Sequence, residues 1–382
     1  MYRIGIDAKR YFYNNTGLGK YATNLLRCLH PPYLNENVKL NLYTPNLPKD
    51  FEENLSFNRT KLTTPRIPFP FWRSFGMLSD INKDSLDLFH GISHEIPFEI
   101  TNRFHCSSIV TMHDLIFVRF PELFPLIDRS FYQLKYKSSV KRANGIIAVG
   151  EQTKLDLIEF WDVPETKIQV IHQSIDPLYF ETYQSYLQNK SFLDNTRVQQ
   201  KDFILMVGTI SKRKNVLLTL QAYFMNKNLQ KDFYLVIIGN ASGINVEYKK
   251  QCEEFIRKNK LTNSVQILTT ISDQELLHYY LQARVLVYPS FFEGFGLPVV
   301  EAMSLGLMSI LSKNSGLQDA GHRFSPYVNP TDPEELSTVL EKSCYDQNFR
   351  NVQIQEGLIH AQKFHPKVIA PILWDYYKNF LI

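Results

Sequence analysis

Between Ala283 and Leu305 the chain passes from an apolar run into a glycine turn and on into a helix-forming stretch, an order few folds admit. Ala283-Arg284-Val285-Leu286-Val287-Tyr288-Pro289 is short, β-branched and closed by proline, which suits a strand buried on both faces of a parallel sheet. Glu293-Gly294-Phe295-Gly296 supplies the turn. Pro298 fits a first helical position, and Val299, Val300, Met303 and Leu305 give the following helix an apolar side. The reading is strand, turn, helix, with Glu293 in the turn and Glu301 in the first helical turn, seven residues lying between the two acids. A glycine turn lets backbone N–H groups approach a ligand, and a helix N-terminus favours an anion. Carboxylates accept hydrogen bonds from hydroxyls. A sugar joined to phosphate fits such a site.

The same alternation recurs along the chain. Ile4–Asp7, Val38–Tyr43, Leu86–His90, Ser108–Met112 and Gly145–Val149 read as strands of a first α/β domain, with an amphipathic helix over Tyr21–Leu29. A second series runs through Phe203–Gly208, Tyr234–Gly239, Val265–Leu268, Val285–Tyr288 and Leu307–Leu311. The expected domains are 1–176 and 201–365. Residues 177–200, polar and rich in Gln and Asn, are expected to link them, and 366–382 to form an apolar-faced terminal helix despite Pro371. A length of 382 residues agrees with two cores, and 44% hydrophobic content can fill them.

Composition narrows the function classes. A net charge of +4 suits phosphate-bearing ligands or an anionic membrane face, and falls short of a nucleic-acid binder. Cys28, Cys106, Cys252 and Cys344 form no C-x-x-C pair, which argues against zinc and a disulfide framework and for buried thiols in a reducing compartment. Met1–Asp7 reads as a first strand rather than a signal peptide, and no apolar run approaches a membrane span. A soluble or peripheral cytoplasmic protein is expected.

The string Tyr288–Met303 resembles, almost residue for residue, the E-x7-E signature of the family 4 (group 1) glycosyltransferases, and the resemblance reaches over nearly the whole chain. It implies the α/β GT-B fold: two Rossmann-like doubly wound domains facing across a cleft, the first on the acceptor side and the second holding a nucleotide-sugar donor. It implies transfer with retention at the anomeric carbon and a terminal helix that crosses back to the first domain. Within the string it implies that Glu301 anchors the nucleotide ribose and that Gly294 and Phe295 hold the donor sugar. Gly296 and Leu297 would hold the phosphates, and Glu293 would grip a sugar hydroxyl beside the bond being broken.

Three further patches carry the resemblance. Val207-Gly208-Thr209-Ile210-Ser211-Lys212-Arg213-Lys214-Asn215 reads as strand, turn, basic cluster and helix start. A lysine there neutralises a diphosphate as a point charge, and an arginine adds a bidentate fork. In the family the lysine matching Lys214 contacts the donor diphosphate, with Arg213 as companion. Members commonly carry another arginine after the glycine, where this chain has Thr209. Asn14-Asn15-Thr16-Gly17-Leu18-Gly19-Lys20 is a glycine loop at a helix start; by its position Gly17 and Gly19 resemble the family loop that faces the donor phosphates. His113, in Met112-His113-Asp114-Leu115, matches a family histidine near the transferred sugar, while Asp114 orients the turn. Read from the residues alone, a single histidine after an apolar run is more often structural. His90, at another strand end, divides evenly between structural and acceptor-facing. Ser272 or Asp273 reads as a helix cap.

The chain contains no D-x-D, and no zincin or EF-hand spacing, so no metal or other cofactor is expected. The implied donor is a nucleotide-hexose, with GDP-mannose favoured by similarity to bacterial mannosyltransferases of surface-polysaccharide synthesis and UDP-sugars of glucosyl or galactosyl type as the alternative. A saccharide or lipid-linked saccharide is the expected acceptor. Pro65–Arg73, aromatic and basic, either packs on the first domain or contacts membrane headgroups. Competing readings are a nucleotide-sugar epimerase, a phosphorylase, and a non-catalytic sugar- or nucleotide-binding protein on the same scaffold.

Overall fold

A computed structural model of the chain describes residues 1–13, 16–47, 60–65, 71–100, 105–188, 198–199, 201–313 and 315–381. The chain divides into two units, Met1–Ile175 with Phe364–Ile382, and Asp176–Lys363.

The first unit is built on a seven-stranded sheet of β1 (Tyr2–Asp7), β2 (Val38–Tyr43), β3 (Thr60–Thr63), β4 (Leu88–Gly91), β5 (Ser107–Met112), β6 (Gly145–Ala148) and β7 (Ile168–Val170). All pairings are parallel, in the order β3-β2-β1-β4-β5-β6-β7. Ile4 of β1 pairs with Leu40 on one side and Leu88 on the other. The inner strands are buried because helices cover both faces, which is why they read as continuous apolar runs. Helix Gly17–Cys28 buries Tyr21, Ala22, Leu25 and Leu26, spacing that keeps them on one face. The terminal helix Pro366–Lys378 buries Ile369, Ala370, Leu373, Trp374 and Tyr377 and packs on Gly17–Cys28, so the last residues belong to the first unit.

The second unit holds a six-stranded parallel sheet of β8 (Phe203–Val207), β9 (Tyr234–Ile238), β10 (Val265–Leu268), β11 (Val285–Tyr288), β12 (Ser309–Ser312) and β13 (Tyr327–Val328). Its order is β10-β9-β8-β11-β12-β13. The direction of strand succession reverses between β1 and β4 in one sheet and between β8 and β11 in the other. In doubly wound sheets ligands bind beyond the carboxyl ends of strands at such a reversal. In the second unit those ends lead into the Gly208–Asn215 and Pro289–Gly296 turns.

The structure corrects the segment 177–200. Pro177–Gln188 is a helix of the second unit rather than a link, with Tyr179 and Phe180 buried against helix Leu297–Ser304. Proline at a first helical position starts the helix, and the Asp176 carboxylate accepts the Leu178 N–H at 3.0 Å. Residues 189–197 and 200 of that segment lie outside the described residues. Among the described residues no helix is long and apolar enough to cross a membrane. All four cysteines are buried, and burial first among causes pushes each thiol up to about 12.

Candidate functional site

The basic turn after β8 and the acidic turn after β11 are stitched together by backbone. Phe291 N–H donates to the Arg213 carbonyl at 2.8 Å, and Arg213 Nη1 donates to the Phe292 carbonyl at 3.1 Å. Asn215, in the left-handed conformation at φ 60°, precedes helix Val216–Met225. Its side-chain amide donates to the carbonyls of Pro289 and Pro330, at 3.2 and 2.7 Å. Asparagine tolerates that backbone better than most residues.

This stitching converges two cations on one oxygen. Lys214 Nζ donates to Glu293 Oε1 at 2.5 Å, and Arg213 Nη1 lies 2.6 Å from the same atom. Lys214 Nζ also meets the Tyr288 hydroxyl and stands 4.4 Å from the centre of its ring. Lys214, Glu293 and Tyr288 are buried, whereas the Arg213 side chain keeps 27% exposure. Burial works against a charged Glu293, but Arg213 and then Lys214 outweigh it and hold the carboxyl down at about 2. Burial and the Glu293 charge push the Tyr288 phenol well above its ordinary value. Lys212 is exposed, as a solvated turn residue would be.

Gly296 caps helix Leu297–Ser304 with φ +124°, a conformation side chains rarely adopt, and a Cβ there would strike Leu317 at 2.6 Å. Among the described residues the N–H groups of Gly294 and Gly296 meet no protein acceptor, which leaves donors at the start of a helix. Gly316 lies close beneath this turn, its N–H donating to the Glu293 carbonyl at 2.9 Å, and a Cβ on it would come within 2.4 Å of the Gly294 carbonyl. Ser312 Oγ bonds the Ser290 carbonyl. The loop 312–321 thus buttresses the acidic turn, with Asn314 outside the described residues.

Glu301 departs from its expected place in the first helical turn. The helix begins at Leu297, and Glu301 stands one turn further on, buried at 2% exposure. Its Oε2 accepts the Tyr280 hydroxyl at 3.0 Å. Burial and then the Glu301 charge push the phenols of Tyr179 and Tyr280 well up. Tyr179 belongs to the helix expected to be a linker. The sequence reading missed both tyrosines, as it missed Tyr288 and Asn215. The signals available were an asparagine following Lys214 and a tyrosine closing β11.

In the first unit Gly17 is exposed and Gly19 buried at the start of helix Gly17–Cys28; Asn14 and Asn15 lie outside the described residues. His113 follows β5 and is buried. Its Nε2 lies 2.9 Å from the Ile92 carbonyl, which can only accept, so Nε2 carries the proton and Nδ1 is the acceptor. Burial, and next His94, push His113 down to about 3, so it is neutral at pH 7. The Tyr21 ring meets it edge-on with centroids 4.6 Å apart. Asp114 accepts the Ile116 N–H at 3.1 Å and orients the turn. His90 resolves as structural: fully buried, it bridges the Thr111 hydroxyl at 2.7 Å and the Tyr377 hydroxyl at 2.6 Å. Ser272 and Glu275 form a reciprocal capping box on helix Asp273–Gln282. Trp72 is core, its indole N–H donating to Asp80 at 3.1 Å, while Phe71 is exposed; 66–70 lie outside the described residues.

Comparison with known proteins agrees with this architecture. The family described as Glycosyl transferases group 1 matches residues 188–358, and Glycosyltransferase Family 4 matches 15–177. Among curated proteins, O-antigen chain mannosyltransferase B of Escherichia coli is 24% identical over 72% of this chain and 70% of its own length. O-antigen chain mannosyltransferase RfbU of Salmonella typhimurium is 27% identical over 61% of this chain and 59% of its own. Among solved structures, Anabaena HepE in complex with UDP-glucose superposes with TM-score 0.71 at 15% identity, covering 99% of this chain and 100% of that one; that likeness is one of fold. The two Rossmann-like parallel sheets have the GT-B fold, and the two family models and the curated relatives make the chain a glycosyltransferase. More narrowly, the chain belongs to the family 4, group 1 glycosyltransferases.

Proposed function

We propose that the chain transfers a hexose, with retention, from a nucleotide-sugar to a saccharide or lipid-linked saccharide acceptor, and that mannose from GDP-mannose is the donor pair. The observation that carries this reading is the convergence of Arg213 and Lys214 on Glu293 where strand succession reverses. As the bond between the anomeric carbon and phosphate oxygen breaks, negative charge collects on the leaving diphosphate, and fixed cations stabilise it there. Arg213, Lys214 and the N–H groups of Gly294 and Gly296 are placed for that task in this reading, with Leu297 beginning the helix behind them. Glu293, held ionised, grips a donor hydroxyl and counters positive charge on the sugar ring. Glu301 accepts from the ribose hydroxyls, Phe295 lines the sugar, and His113 accepts a sugar hydroxyl at Nδ1. The acceptor hydroxyl attacks from the face the diphosphate leaves, and its proton passes to the departing phosphate oxygen. Gly17 and Gly19 approach the donor phosphates through backbone.

The mannose assignment rests on the two mannosyltransferases to which the chain is similar, and the UDP-glucose bound to the structurally similar Anabaena protein makes UDP-hexoses the alternative. A nucleotide-sugar panel read by thermal shift decides between them, since a ligand at 100 times its Kd stabilises the native state by about 2.7 kcal/mol. GDP-mannose should raise Tm more than any UDP-sugar, and the reverse order would reassign the donor. Anomeric configuration of the product by NMR tests retention. The cations named above replace a metal in this proposal, so turnover in a chelator should be undiminished; complete loss restored by a divalent ion would contradict it.

Peripheral membrane contact is also proposed, through helix Leu126–Arg142 rather than Trp72. That helix leaves Leu126, Ile127, Phe131 and Leu134 exposed in the first unit, with Arg129, Lys137 and Lys141 on the same element. Apolar side chains beside basic ones suit an anionic bilayer surface. Replacing Ile127, Phe131 and Leu134 with Ser should abolish flotation on anionic vesicles while leaving transfer to a soluble acceptor intact. Unchanged flotation would refute it.

A further inference from the structure

In the first unit the carboxyl end of β1 carries a charge cluster outside the site described above. Asp7 closes β1, at the reversal of strand succession between β1 and β4, and Lys9 and Arg10 follow it. The two carboxylates that face this point are already engaged. Arg73 Nε lies 3.1 Å from Asp7 Oδ2, and its guanidinium also pairs with Glu95, as does Lys135. Arg10 is different. Among the described residues its Nε is buried and meets no acceptor, although the guanidinium stands near enough to His94, His113 and Tyr136 to act on their ionisation. Lys9 has no carboxylate within ion-pair distance among the described residues; burial, then Arg73 and Arg10, lower its affinity for the proton.

An arginine Nε–H shut away from water and given no acceptor is costly, even though the Arg10 side chain as a whole is only partly buried. The local balance makes it costlier. Among the described residues, Lys9, Arg10, Arg73 and Lys135 are four cations against three carboxylates, Asp7, Glu95 and Asp114, while His94 and His113 stay neutral near pH 7. Of these described groups one positive charge is left over, and Arg10 acts on the histidine assigned to the sugar. An oxyanion is the ligand that supplies both the missing acceptor and the missing charge, and the planar fork of arginine binds phosphate through two parallel hydrogen bonds.

We propose that Arg10, supported by Lys9, binds a phosphoryl group of the acceptor, carried on the saccharide itself or on its lipid carrier. That the group belongs to the acceptor rests on the glycosyltransfer reading; that the site takes phosphate does not. The test uses the full chain bearing Arg213→Gln and Lys214→Met, so that the cations of the second unit do not answer. Calorimetric titration at low ionic strength compares inorganic phosphate, standing for a phosphosugar, inorganic pyrophosphate, standing for a lipid diphosphate, and acetate. One of the two phosphates should bind with a Kd of about 1 mM, as a few charge-assisted hydrogen bonds would give, and shift the Arg10 Nε–H resonance. The tighter of the two names the source. Arg10→Gln should weaken binding at least tenfold, Arg10→Lys less, and Lys9→Met less again. Undiminished phosphate binding in folded Arg10→Gln, no binding at all, or acetate binding as tightly as phosphate would each overturn the assignment. Phosphate binding through Arg10, with no sugar transfer by the wild-type chain over the donor and acceptor panel, would sink the glycosyltransfer reading and leave the anion site standing.

Discussion

Lys214 Nζ lies 2.5 Å from Glu293 Oε1, and both side chains are buried. One comes from the turn after β8, the other from the turn after β11, so the pair fastens together the two loops that leave the sheet at its reversal. A buried pair of this kind is weak evidence of net stability, but removing one partner strands the other charge. The same pair therefore couples the fold of the second unit to the charge its site presents to a ligand.

Lys214→Met should strand the Glu293 carboxylate with Arg213 alone. Arg213, which acts on the acid more strongly than Lys214, stays in place, though its 27% exposure leaves it partly hydrated. We expect a loss of about 3 kcal/mol in urea unfolding of the second unit, at the low end of broken buried pairs, and a transfer rate down by about 10² or more. Arg213→Gln should cost less stability. Wild-type turnover in folded Lys214→Met would remove the lysine from the site.

Tyr288→Phe separates two contributions at Lys214. The hydroxyl contact disappears, while the ring 4.4 Å from Nζ remains. A single hydrogen bond to a charged group contributes about 1.5–3 kcal/mol, so nucleotide-sugar affinity should fall roughly tenfold to a hundredfold. Tyr288→Leu, which also removes the ring, should fall further. Equal effects from both variants would show that the ring contributes nothing.

Glu301→Gln keeps the side chain's shape and removes its charge, which leaves the amide to face two buried tyrosines, Tyr179 and Tyr280. If the carboxylate anchors ribose hydroxyls, nucleotide affinity should drop at least tenfold, about 1.4 kcal/mol, with kcat less changed than KM. Tyr280→Phe should produce a smaller loss, because it frees the carboxylate to turn. Nucleotide binding that is blind to Glu301→Gln, measured by calorimetry, would refute the ribose assignment.

The inner strands were legible because burial on both faces writes them as unbroken apolar runs, Phe203–Val207 being the plainest. Thr60–Thr63, Ile168–Val170 and Tyr327–Val328 were not: two to four residues are too short to show a period, and Thr60–Thr63 is only half-buried at a sheet edge. Helix Pro177–Gln188 was hidden by its polar residues, since Tyr179 and Phe180 alone carry its buried side. At the site, Arg213, Lys214, Glu293 and Glu301 were legible as charges that few cores tolerate. Their partners were not. A phenol such as Tyr280 or Tyr288 reads in sequence as one more aromatic of the core, and only the fold reveals which carboxylate or ammonium it meets.

Buried histidines set the acid limit of the first unit. Burial, ahead of neighbouring charges, pushes His90, His94 and His113 each down to about 3. In the unfolded chain they titrate near 6.5. Below that pH the unfolded state binds protons that the folded state refuses, so stability falls as pH drops from 6.5 toward 3. At pH 5.5 each histidine costs about 1.4 kcal/mol, roughly 4 kcal/mol for the three. In the second unit His322, pushed down to about 4 chiefly by burial, adds one such loss. Glu293 runs on a different window: its contribution is whole above about 4.5 and is lost only as pH falls toward 2. Hydrogen exchange at pH 7.0 and 5.5, corrected for intrinsic rates, should therefore show amides of β4 and β5 losing more protection than those of β8 and β11. Equal opening free energies for β4 and β5 at the two pH values would mean that these histidines are not held neutral by the fold.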